Sequence, residues 1–406
     1  MHAVNESAIP VKPAGVRPRL DGLDLLRGAV MIIMALDHTR DFFSRDALIF
    51  DPTDLTKTDG WLFLTRWITH FCAPVFCFLA GTGVFLSLGR GKTKRDLSWY
   101  LVTRGLWLVF LELTLVQFGW TFRIDPHALG GQVIWALGWS MVFLAALIHL
   151  PVWGVGTFGL GMIVAHNLLD PILPAAFGRW SWLWNVLHVP GGFQIAPHYM
   201  FFIAYPLIPW VGVMAAGYAF GKLLQRDRPE RRRILLWLGL GLTAAFIVIR
   251  ATNAYGDPQP WSKQTTPLFT LFSFLNCTKY PPSLLYLCMT LGPAILVLSF
   301  FDRELGPWSK PIIVFGRVPL FYYLLHLPLI HGIAILLASL RHGAAGGVWL
   351  GPPWDPATAA AYPQNYGYGL GVVYAIWILV ILLLYPLCRW FANLKQRRRD
   401  AWLSYF

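Results

Sequence analysis

The sequence predicts an all-α, polytopic membrane protein, and three observations carry that prediction. Of the 406 residues, 56% are hydrophobic and only 13% are charged, whereas a soluble domain has roughly 25% charged residues. The mean hydropathy is +0.53. The apolar residues are gathered into runs of about 20, the length that an α-helix needs to cross a bilayer. Such a surface requires lipid as its solvent, which excludes disordered, collagenous and coiled-coil chains.

About ten membrane-spanning helices are predicted. They cover residues 23–43, 62–89, 98–120, 132–150, 152–169, 199–224, 234–250, 282–300, 311–340 and 368–390. The first run carries Arg27 and Asp37, unlike the apolar segment of a signal peptide, so we expect it to remain as the first helix. Pro151 separates the fourth and fifth spans because a proline interrupts a helix. The ninth span holds Pro319 and Pro328 and is expected to kink.

The distribution of basic residues predicts the orientation of these helices. The formal net charge is +13, and 20 of the 33 Lys and Arg residues fall on one alternate set of connections against 8 on the other. Because cytoplasmic loops are enriched in basic residues, both termini are predicted to be cytoplasmic and the number of spans to be even. The basic clusters therefore indicate membrane topology and no nucleic-acid partner. The predicted organisation is a cytoplasmic segment 1–22, a membrane domain 23–390 and a basic, aromatic cytoplasmic tail 391–406.

The cysteine and histidine patterns favour acid–base chemistry over a metal site. The five cysteines form no CxxC pair and no HExxH sequence is present, so neither a disulfide framework nor a bound metal is expected. In the predicted topology nine of the eleven histidines lie on the outer side. Imidazole titrates near neutral pH, which suits it to general acid or base catalysis.

The first span carries the strongest candidates. Arg27 lies near its cytoplasmic end, and His38 follows eleven residues later on the same helix face, about 16 Å away. Asp37 adjoins His38 but points about 100° away from it, whereas Asp41 is better placed to orient the imidazole. The alternative is that these residues and Arg40 form a hydrogen-bonded cluster at the helix end without a catalytic role.

Three further polar residues lie inside predicted spans, where polar side chains are costly and often functional. His70 precedes Pro74 by four residues, so its carbonyl loses its helical donor and a polar network can form there. His326 lies in the outer half of the ninth span, and an interfacial role is expected for His331 beyond it. Glu112 lies at a depth similar to that of His38 and could orient an imidazole or hold a cation.

Several of these motifs resemble a known family. The sequences LDGLDLLRG and ALDHTRDFF, followed by THFCAPVFCFLAGTGVFLS, are similar to the heparan-alpha-glucosaminide N-acetyltransferase-like family of membrane proteins. The sequence FGRVPLFYYLLHLPLIH and the closing tail resemble its bacterial branch. The LDxLRG opening with a later histidine also resembles the broader transmembrane acyltransferase superfamily. The likeness covers nearly the whole chain and is most specific over residues 20–90.

The resemblance implies transfer of an acetyl group across the membrane. The donor would be acetyl-CoA, or another acyl-CoA, from the cytoplasm, and the acceptor a sugar amine or hydroxyl of a glycan or glycolipid on the far side. Cations that could hold the CoA phosphates stand near the cytoplasmic face. These are Arg27, Arg104, Lys222 and Arg317. A dry channel from them to the outer histidines would limit hydrolysis of the thioester.

The sequence departs from the family pattern at one point. The lysosomal branch uses a luminal histidine just after its first family helix, and residues 44–60 here contain no histidine. We therefore predict His38 as the base that deprotonates the acceptor, oriented by Asp41 or Glu112, with His326 or His70 assisting.

Two other functional classes are compatible with the same residues. Intramembrane histidines and acids could relay protons in a transporter of a small solute, although no symmetric pair of broken helices marks inverted repeats. A non-catalytic membrane protein would need the histidines for stability alone. In each case a multi-pass protein of a bacterial inner membrane is expected, in contact with the lipid bilayer and free to form a homo-oligomer.

Overall fold

The computed structural model describes residues 20–88, 93–343, 362–363, 365–398 and 400–406. Helices dominate it. They are α1 Asp21–Phe43, α2 Gly60–Thr69, α3 Cys72–Leu88, α4 Lys94–Leu111, α5 Gln117–Thr121, α6 Val133–Leu147, α7 Val152–Ala165, α8 Ser181–Leu187, α9 Leu207–Phe220, α10 Arg228–Thr252, α11 Pro267–Leu275, α12 Leu284–Phe301, α13 Ser309–Arg317, α14 Pro319–His342 and α15 Leu370–Arg397. A single π-helical turn, Glu112–Val116, joins α4 to α5.

The predicted fold class is confirmed: the chain is an all-α, multi-pass integral membrane protein. Among the described residues, eight helical segments are long and apolar enough to cross a membrane. The two other predicted spans are also helical. The apolar helix α6 is shorter, at 15 residues. Helix α1 has 23 residues, but charged side chains are spread along it, so that every stretch of 18 residues contains at least three.

Helix α1 lies at the centre of the bundle. It contacts α2, α3, α12, α13, α14 and α15. Its closest neighbour is α13, because Gly28 of α1 and Gly316 of α13 let the two backbones touch, and an added Cβ at either position would collide with a carbonyl oxygen of the other helix. This central position explains how α1 can keep charged side chains inside the protein and away from lipid.

Contacts between connections confirm the predicted alternation. At the base-rich end, the Lys94 amine donates to the carbonyl of His149, and Arg231 pairs with Asp302. At the opposite end, the Asn276 amide donates to the carbonyl of Thr53. Connections predicted on one side therefore meet on one side.

The sixth predicted span, 199–224, begins too early. Its first residues form strand β3, Tyr199–Ile203, which lies between β1, Ala128–Gly131, and β2, Gly191–Ala196. Strand β3 pairs in parallel with β1 and antiparallel with β2. Aromatic and β-branched residues favour a strand here, and α9 begins only after Pro206. This small outer sheet was not predicted from hydropathy, because an apolar strand and an apolar helix look alike over five residues.

The ninth predicted span, 311–340, is divided into α13 and α14. Val318 has φ −132° and ψ 49°, outside the helical region, because the residue before a proline is pushed out of the α conformation. Pro319 then starts α14 at a position that a proline favours. Pro328, which was expected to kink the span, lies inside the continuous helix α14.

The predicted tail boundary at residue 390 falls within α15, which continues to Arg397. A 3₁₀ turn, Ala401–Tyr405, follows. It packs against α4, where the Tyr100 hydroxyl donates to the carbonyl of Ser404. The end of the chain is therefore attached to the bundle at the base-rich end.

Candidate active site

Two predicted histidines from helices distant in sequence meet in the half of the bundle opposite the base-rich end. Nδ1 of His38 in α1 lies 2.7 Å from Nε2 of His326 in α14. The two imidazoles are stacked, with ring centroids 4.9 Å apart and an angle of 18° between their planes. His326 is fully buried, whereas His38 retains some exposed surface.

The hydrogen bonds of this histidine pair determine which nitrogen is free. Nδ1 of His326 lies 3.1 Å from the backbone carbonyl oxygen of Tyr322. A carbonyl can only accept, so this nitrogen carries the hydrogen and Nε2 of His326 is an acceptor. In the neutral pair, Nδ1 of His38 must therefore donate to it. Nε2 of His38 keeps a lone pair that, among the described residues, has no hydrogen-bond donor.

Aromatic side chains enclose the pair. The ring centroid of Trp120 lies 5.0 Å from that of His38 in an edge contact, and that of Tyr323 lies 6.3 Å away. Tyr322 stacks on His326 at 5.2 Å, and its buried hydroxyl has no hydrogen-bond partner among the described residues. These rings form an aromatic wall on one side of the pair.

The neighbouring residue, Asp37, is the centre of a charged group that we call the outer charge cluster: Asp37, Arg40, Asp41, Arg66 and Lys279. Oδ1 of Asp37 lies 2.8 Å from Nη1 of Arg66 and 2.7 Å from Nη1 of Arg40. Nζ of Lys279 lies 3.8 Å from Oδ2 of Asp37. Asp41 pairs with Arg40 at 2.6 Å. The cluster thus places three cations against two carboxylates.

The positive excess extends to the rim of the cluster. Nζ of Lys279 lies 5.1 Å from the ring centroid of Tyr280. Desolvation raises the pKa of Tyr280, but the charges of Lys279 and Arg66 outweigh it and leave the pKa below its usual value.

The predicted polar network at His70 is present. Helix α2 ends at Thr69 and α3 begins at Cys72. The carbonyl of His70, which Pro74 leaves without a helical donor, accepts a hydrogen bond of 2.7 Å from the buried Tyr286 hydroxyl. The Thr69 hydroxyl donates to Asp37 at 2.7 Å and so connects this helix break to the outer charge cluster.

Neither residue predicted to orient His38 bonds to it. Asp41 pairs with Arg40. Oε2 of Glu112 accepts hydrogen bonds from the backbone N–H groups of Ile134 and Trp135, at 2.9 and 3.0 Å, in the first turn of α6. A carboxylate at this position stabilises the start of a helix, so the buried Glu112 has a structural explanation. Its catalytic role stays a prediction.

The four predicted donor-binding cations do not form one cluster. Nη1 of Arg27 lies 3.1 Å from Oδ1 of Asp24, and Nε of Arg317 lies 3.8 Å from Oδ2 of the same carboxylate, so these two cations share a partner. Arg104 instead donates to the carbonyl of Ser404 in the tail. Lys222 is exposed at the end of α9.

A cavity of about 890 Å³ opens at the base-rich end. Its charged wall residues are Asp21, Arg228, Arg231, Asp302, Arg303, Glu304, Lys310 and Arg317. On α1 its wall ends at Leu23, roughly 22 Å along the helix from His38 at 1.5 Å per residue. The cavity therefore contains one predicted donor-binding residue, Arg317, and stops short of the predicted channel.

Sequence reasoning missed most of the outer charge cluster. Arg66 and Lys279 were not predicted as site residues, and Lys279 reaches Asp37 from a loop 242 positions along the chain. The signal that could have found them is the cost of a charge inside a membrane, which requires Asp37 to have cationic partners. His331 was expected at the interface, but it is buried and its Nδ1 donates to the carbonyl of Gly119.

Comparison with known proteins identifies the family. No curated protein matches the chain. The model of the catalytic domain of heparan-alpha-glucosaminide N-acetyltransferase matches residues 19–251, which is more than half of the chain. The matched range includes His38 and the helix break at His70, and it ends before His326. The chain belongs to the heparan-alpha-glucosaminide N-acetyltransferase family.

Proposed function

We propose that this protein is a transmembrane acetyltransferase that moves an acetyl group from cytoplasmic acyl-CoA to a sugar amine or hydroxyl on the outer side. The family supports acetyl transfer. The single observation that carries the assignment is the histidine pair, because the hydrogen bond to His326 leaves Nε2 of His38 unprotonated and unpaired. A general base requires such a nitrogen within reach of its substrate.

The proposed chemical step is a direct transfer. Nε2 of His38 removes the proton from the acceptor amine or hydroxyl, and the acceptor's lone pair forms a bond to the thioester carbonyl carbon. The tetrahedral intermediate collapses, the carbon–sulfur bond breaks, and the sulfur leaves as the thiolate of CoA. The His38 imidazolium returns its proton to that sulfur. Every proton and electron pair is then accounted for without a metal or a redox partner.

His326 acts on this step as a positioning residue. It holds the hydrogen of His38 on Nδ1 and stacks on the imidazole. The cations of the outer charge cluster, which are Arg40 of α1, Arg66 of α2 and Lys279 of the loop before α12, interact electrostatically with His38. Fixed positive charge near the reacting carbonyl favours the oxyanion of the tetrahedral intermediate. The same cations could contact a negatively charged group of the acceptor.

The donor is proposed to bind at the cytoplasmic end. Phosphates of CoA require cations, and the cavity wall offers Arg317, Arg303 and Lys310. Among the described residues Arg303 and Lys310 have no ion-pair partner, so they are available to a phosphate. The acyl arm must then cover the remaining distance of roughly 22 Å to His38.

The proposed acceptor is a glycan or glycolipid of the outer side, and the proposed location is a bacterial inner membrane. The outer position of the histidine pair supports an acceptor from that side. A glycolipid would reach the site from the lipid bilayer and a free glycan from the aqueous phase.

The first experiment measures acetyl transfer. Purified full-length protein in nanodiscs is given acetyl-CoA labelled in the acetyl group and a glucosamine-terminated disaccharide, and labelled product and free CoA are quantified. We expect product that depends on His38 and is retained in His127→Ala, which changes an exposed histidine of the outer side. A transporter would instead show pH-dependent solute flux in proteoliposomes without consuming the thioester.

The second experiment measures donor binding by calorimetry. Arg317→Glu and Lys310→Glu should each weaken acetyl-CoA binding, while Arg233→Glu, an exposed change outside the cavity, should not. Lys310→Glu is included because Arg317 also pairs with Asp21 and Asp24, and its reversal could disturb folding. No binding at millimolar acetyl-CoA would contradict the proposed function.

A further inference from the structure

Two histidines outside the candidate active site form a second pair at the outer end of the bundle. His166 begins a 3₁₀ turn, His166–Leu169, at the end of α7, and His188 follows α8. Each is only 1% exposed. Their ring centroids are 6.0 Å apart and their planes are nearly perpendicular, at 72°.

Each imidazole of this second pair bonds away from the other. Nδ1 of His166 lies 2.9 Å from the backbone carbonyl oxygen of Ile163. Nε2 of His188 lies 3.1 Å from Oδ1 of Asp170. Both partners are acceptors, so both of these nitrogens carry hydrogen, and in the neutral rings the other nitrogen of each is a bare lone pair. Nε2 of His166 and Nδ1 of His188 are buried and have no partner among the described residues.

A third buried acceptor lies in the same segment as His188. Oδ1 of Asn185 also has no hydrogen-bond partner among the described residues. Asn185 lies in the last turn of α8, and His188 directly follows that helix. Buried acceptors without a hydrogen-bond donor call for a bound water or ion, and a cation accepts lone pairs directly.

The surrounding charge also favours a cation. Among the described residues, the only ion-pair partner of Asp170 is His188. Oδ2 of Asp170 accepts a hydrogen bond of 2.8 Å from the Asn167 amide, whose own oxygen accepts from the backbone N–H of Leu284 at 2.9 Å. The carboxylate is therefore held in place behind His188, and none of the lysines and arginines that the structure describes forms an ion pair with it.

We infer that His166, His188 and Asn185 bind a divalent transition-metal ion of the Zn²⁺ type through Nε2, Nδ1 and Oδ1. Imidazole nitrogens suit Zn²⁺, Cu²⁺ and Ni²⁺. Histidine ligands almost always donate their second N–H to a carboxylate or a backbone carbonyl, as His188 and His166 do here. Two imidazoles on one zinc at about 2.1 Å have ring centroids roughly 5–6 Å apart, close to the observed 6.0 Å.

The third ligand distinguishes this site from the usual pattern. Among the described residues, no group of three or more His, Cys, Asp or Glu side chains could hold a metal. The site therefore depends on the Asn185 amide oxygen, with water as the fourth ligand of a tetrahedral ion. The ion would attach α8 to the end of α7 and has no part in the proposed acetyl transfer.

The test measures metal binding by the full-length protein in detergent, purified without a polyhistidine tag and freed of metal by a chelator. Titration calorimetry with Zn²⁺ should show one ion per chain, and Mg²⁺ should not bind. His166→Ala and His188→Ala should abolish this binding, and Asp170→Asn should weaken it about 10- to 100-fold. His127→Ala, an exposed histidine that also pairs with an aspartate, is the matched control.

A second measurement uses the wild-type protein alone, in case the variants do not fold. Co²⁺ bound by nitrogen and oxygen ligands should give visible absorption bands of stoichiometric intensity, and Zn²⁺ should remove them and raise Tm. Zinc binding that survives both histidine substitutions, or the absence of any stoichiometric Zn²⁺ or Co²⁺ binding, would overturn the inference. The second result would mean that the pair holds a proton or water.

Discussion

The two histidine pairs of the outer half use the same side chain in opposite ways. In the first pair, His38 and His326 bond to each other at 2.7 Å. In the second, His166 and His188 each bond to a different acceptor, and their ring centroids are 6.0 Å apart. The first arrangement leaves one free lone pair, as a base requires, and the second leaves two, as a metal site requires.

This difference shows that the hydrogen-bond partner of one ring nitrogen decides whether the other nitrogen of the imidazole is a donor or a free lone pair. The Tyr322 carbonyl makes Nε2 of His326 an acceptor, which places the hydrogen of His38. At the second pair, the Asp170 carboxylate and the Ile163 carbonyl take both hydrogens. A histidine at the outer end of a helix is therefore not informative by itself, and its function follows from groups on other helices.

The largest expected effect is a difference between the two histidine pairs in the rate of acetyl transfer. His38→Ala should lower kcat/KM for acetyl transfer by about 10²- to 10⁴-fold, the usual contribution of a general base. His166→Ala should leave the rate of folded protein near the wild-type value. Both are measured in nanodiscs with labelled acetyl-CoA. Equal losses in the two variants would erase the distinction between a catalytic and a structural pair.

The carboxylates beside the two pairs should differ in their effect on stability. Asp37→Asn removes a carboxylate that pairs with three largely enclosed cations and should lower the free energy of unfolding by about 3–5 kcal/mol. Asp170→Asn in metal-free protein should cost much less, because Asp170 pairs only with His188 among the described residues. Thermal unfolding in detergent checks both. A larger loss for Asp170→Asn would show that the outer charge cluster does not stabilise the bundle.

The role of His326 can be examined with two substitutions. One keeps a hydrogen-bond acceptor for Nδ1 of His38, and the other removes it. His326→Ala removes the partner of His38 Nδ1 and should lower kcat about tenfold, the worth of one hydrogen bond, with KM unchanged. His326→Gln supplies an amide oxygen and should recover much of the rate.

The matched control for His326 is His331→Gln. His331 is another buried histidine of α14 that bonds to a backbone carbonyl, that of Gly119. Its substitution should not change kcat. If His326→Gln and His326→Ala were equally slow, the hydrogen bond to His38 would not be what His326 contributes.

The smallest expected effect concerns Glu112. Glu112→Ala leaves the N–H groups of Ile134 and Trp135 without their acceptor and should cost about 1 kcal/mol of stability, typical of a lost helix cap. Glu112→Gln keeps an acceptor and should cost less. The specific activity of the folded fraction should be unchanged in both. A rate loss like that of His38→Ala would make Glu112 part of the active site.

The sequence predicted the membrane helices well, and the reason is local. A helix that crosses lipid must be apolar over about 20 residues and satisfies its own backbone hydrogen bonds, so hydropathy alone finds it. The boundary at Pro151 and the free carbonyl of His70 were correct for the same reason. Strand β3 was missed because its hydrogen bonds come from β1 and β2, which lie elsewhere in the chain.

The candidate site was only partly predictable. His38 and His326 were both selected for their depth in the membrane, but nothing in the sequence showed that they bond to each other. Asp41 was chosen to orient His38 from its spacing on α1, and the structure directs it to Arg40 instead. Spacing on one helix describes possible neighbours, whereas the strongest partner of a buried charge can come from another helix.

Composition and charge determined by themselves that this chain is a multi-pass membrane protein, how its spans alternate, and which polar residues lie at membrane depth. Those properties depend on the free energy of transferring each segment from water into lipid. That free energy is set by the residues of the segment itself. Only the tertiary structure decided which imidazole nitrogen is free in each histidine pair and which cations surround Asp37. Hydrogen bonds and ion pairs act over a few ångströms, and the packing of α1 against α2, α12 and α14 is what brings their partners within that range.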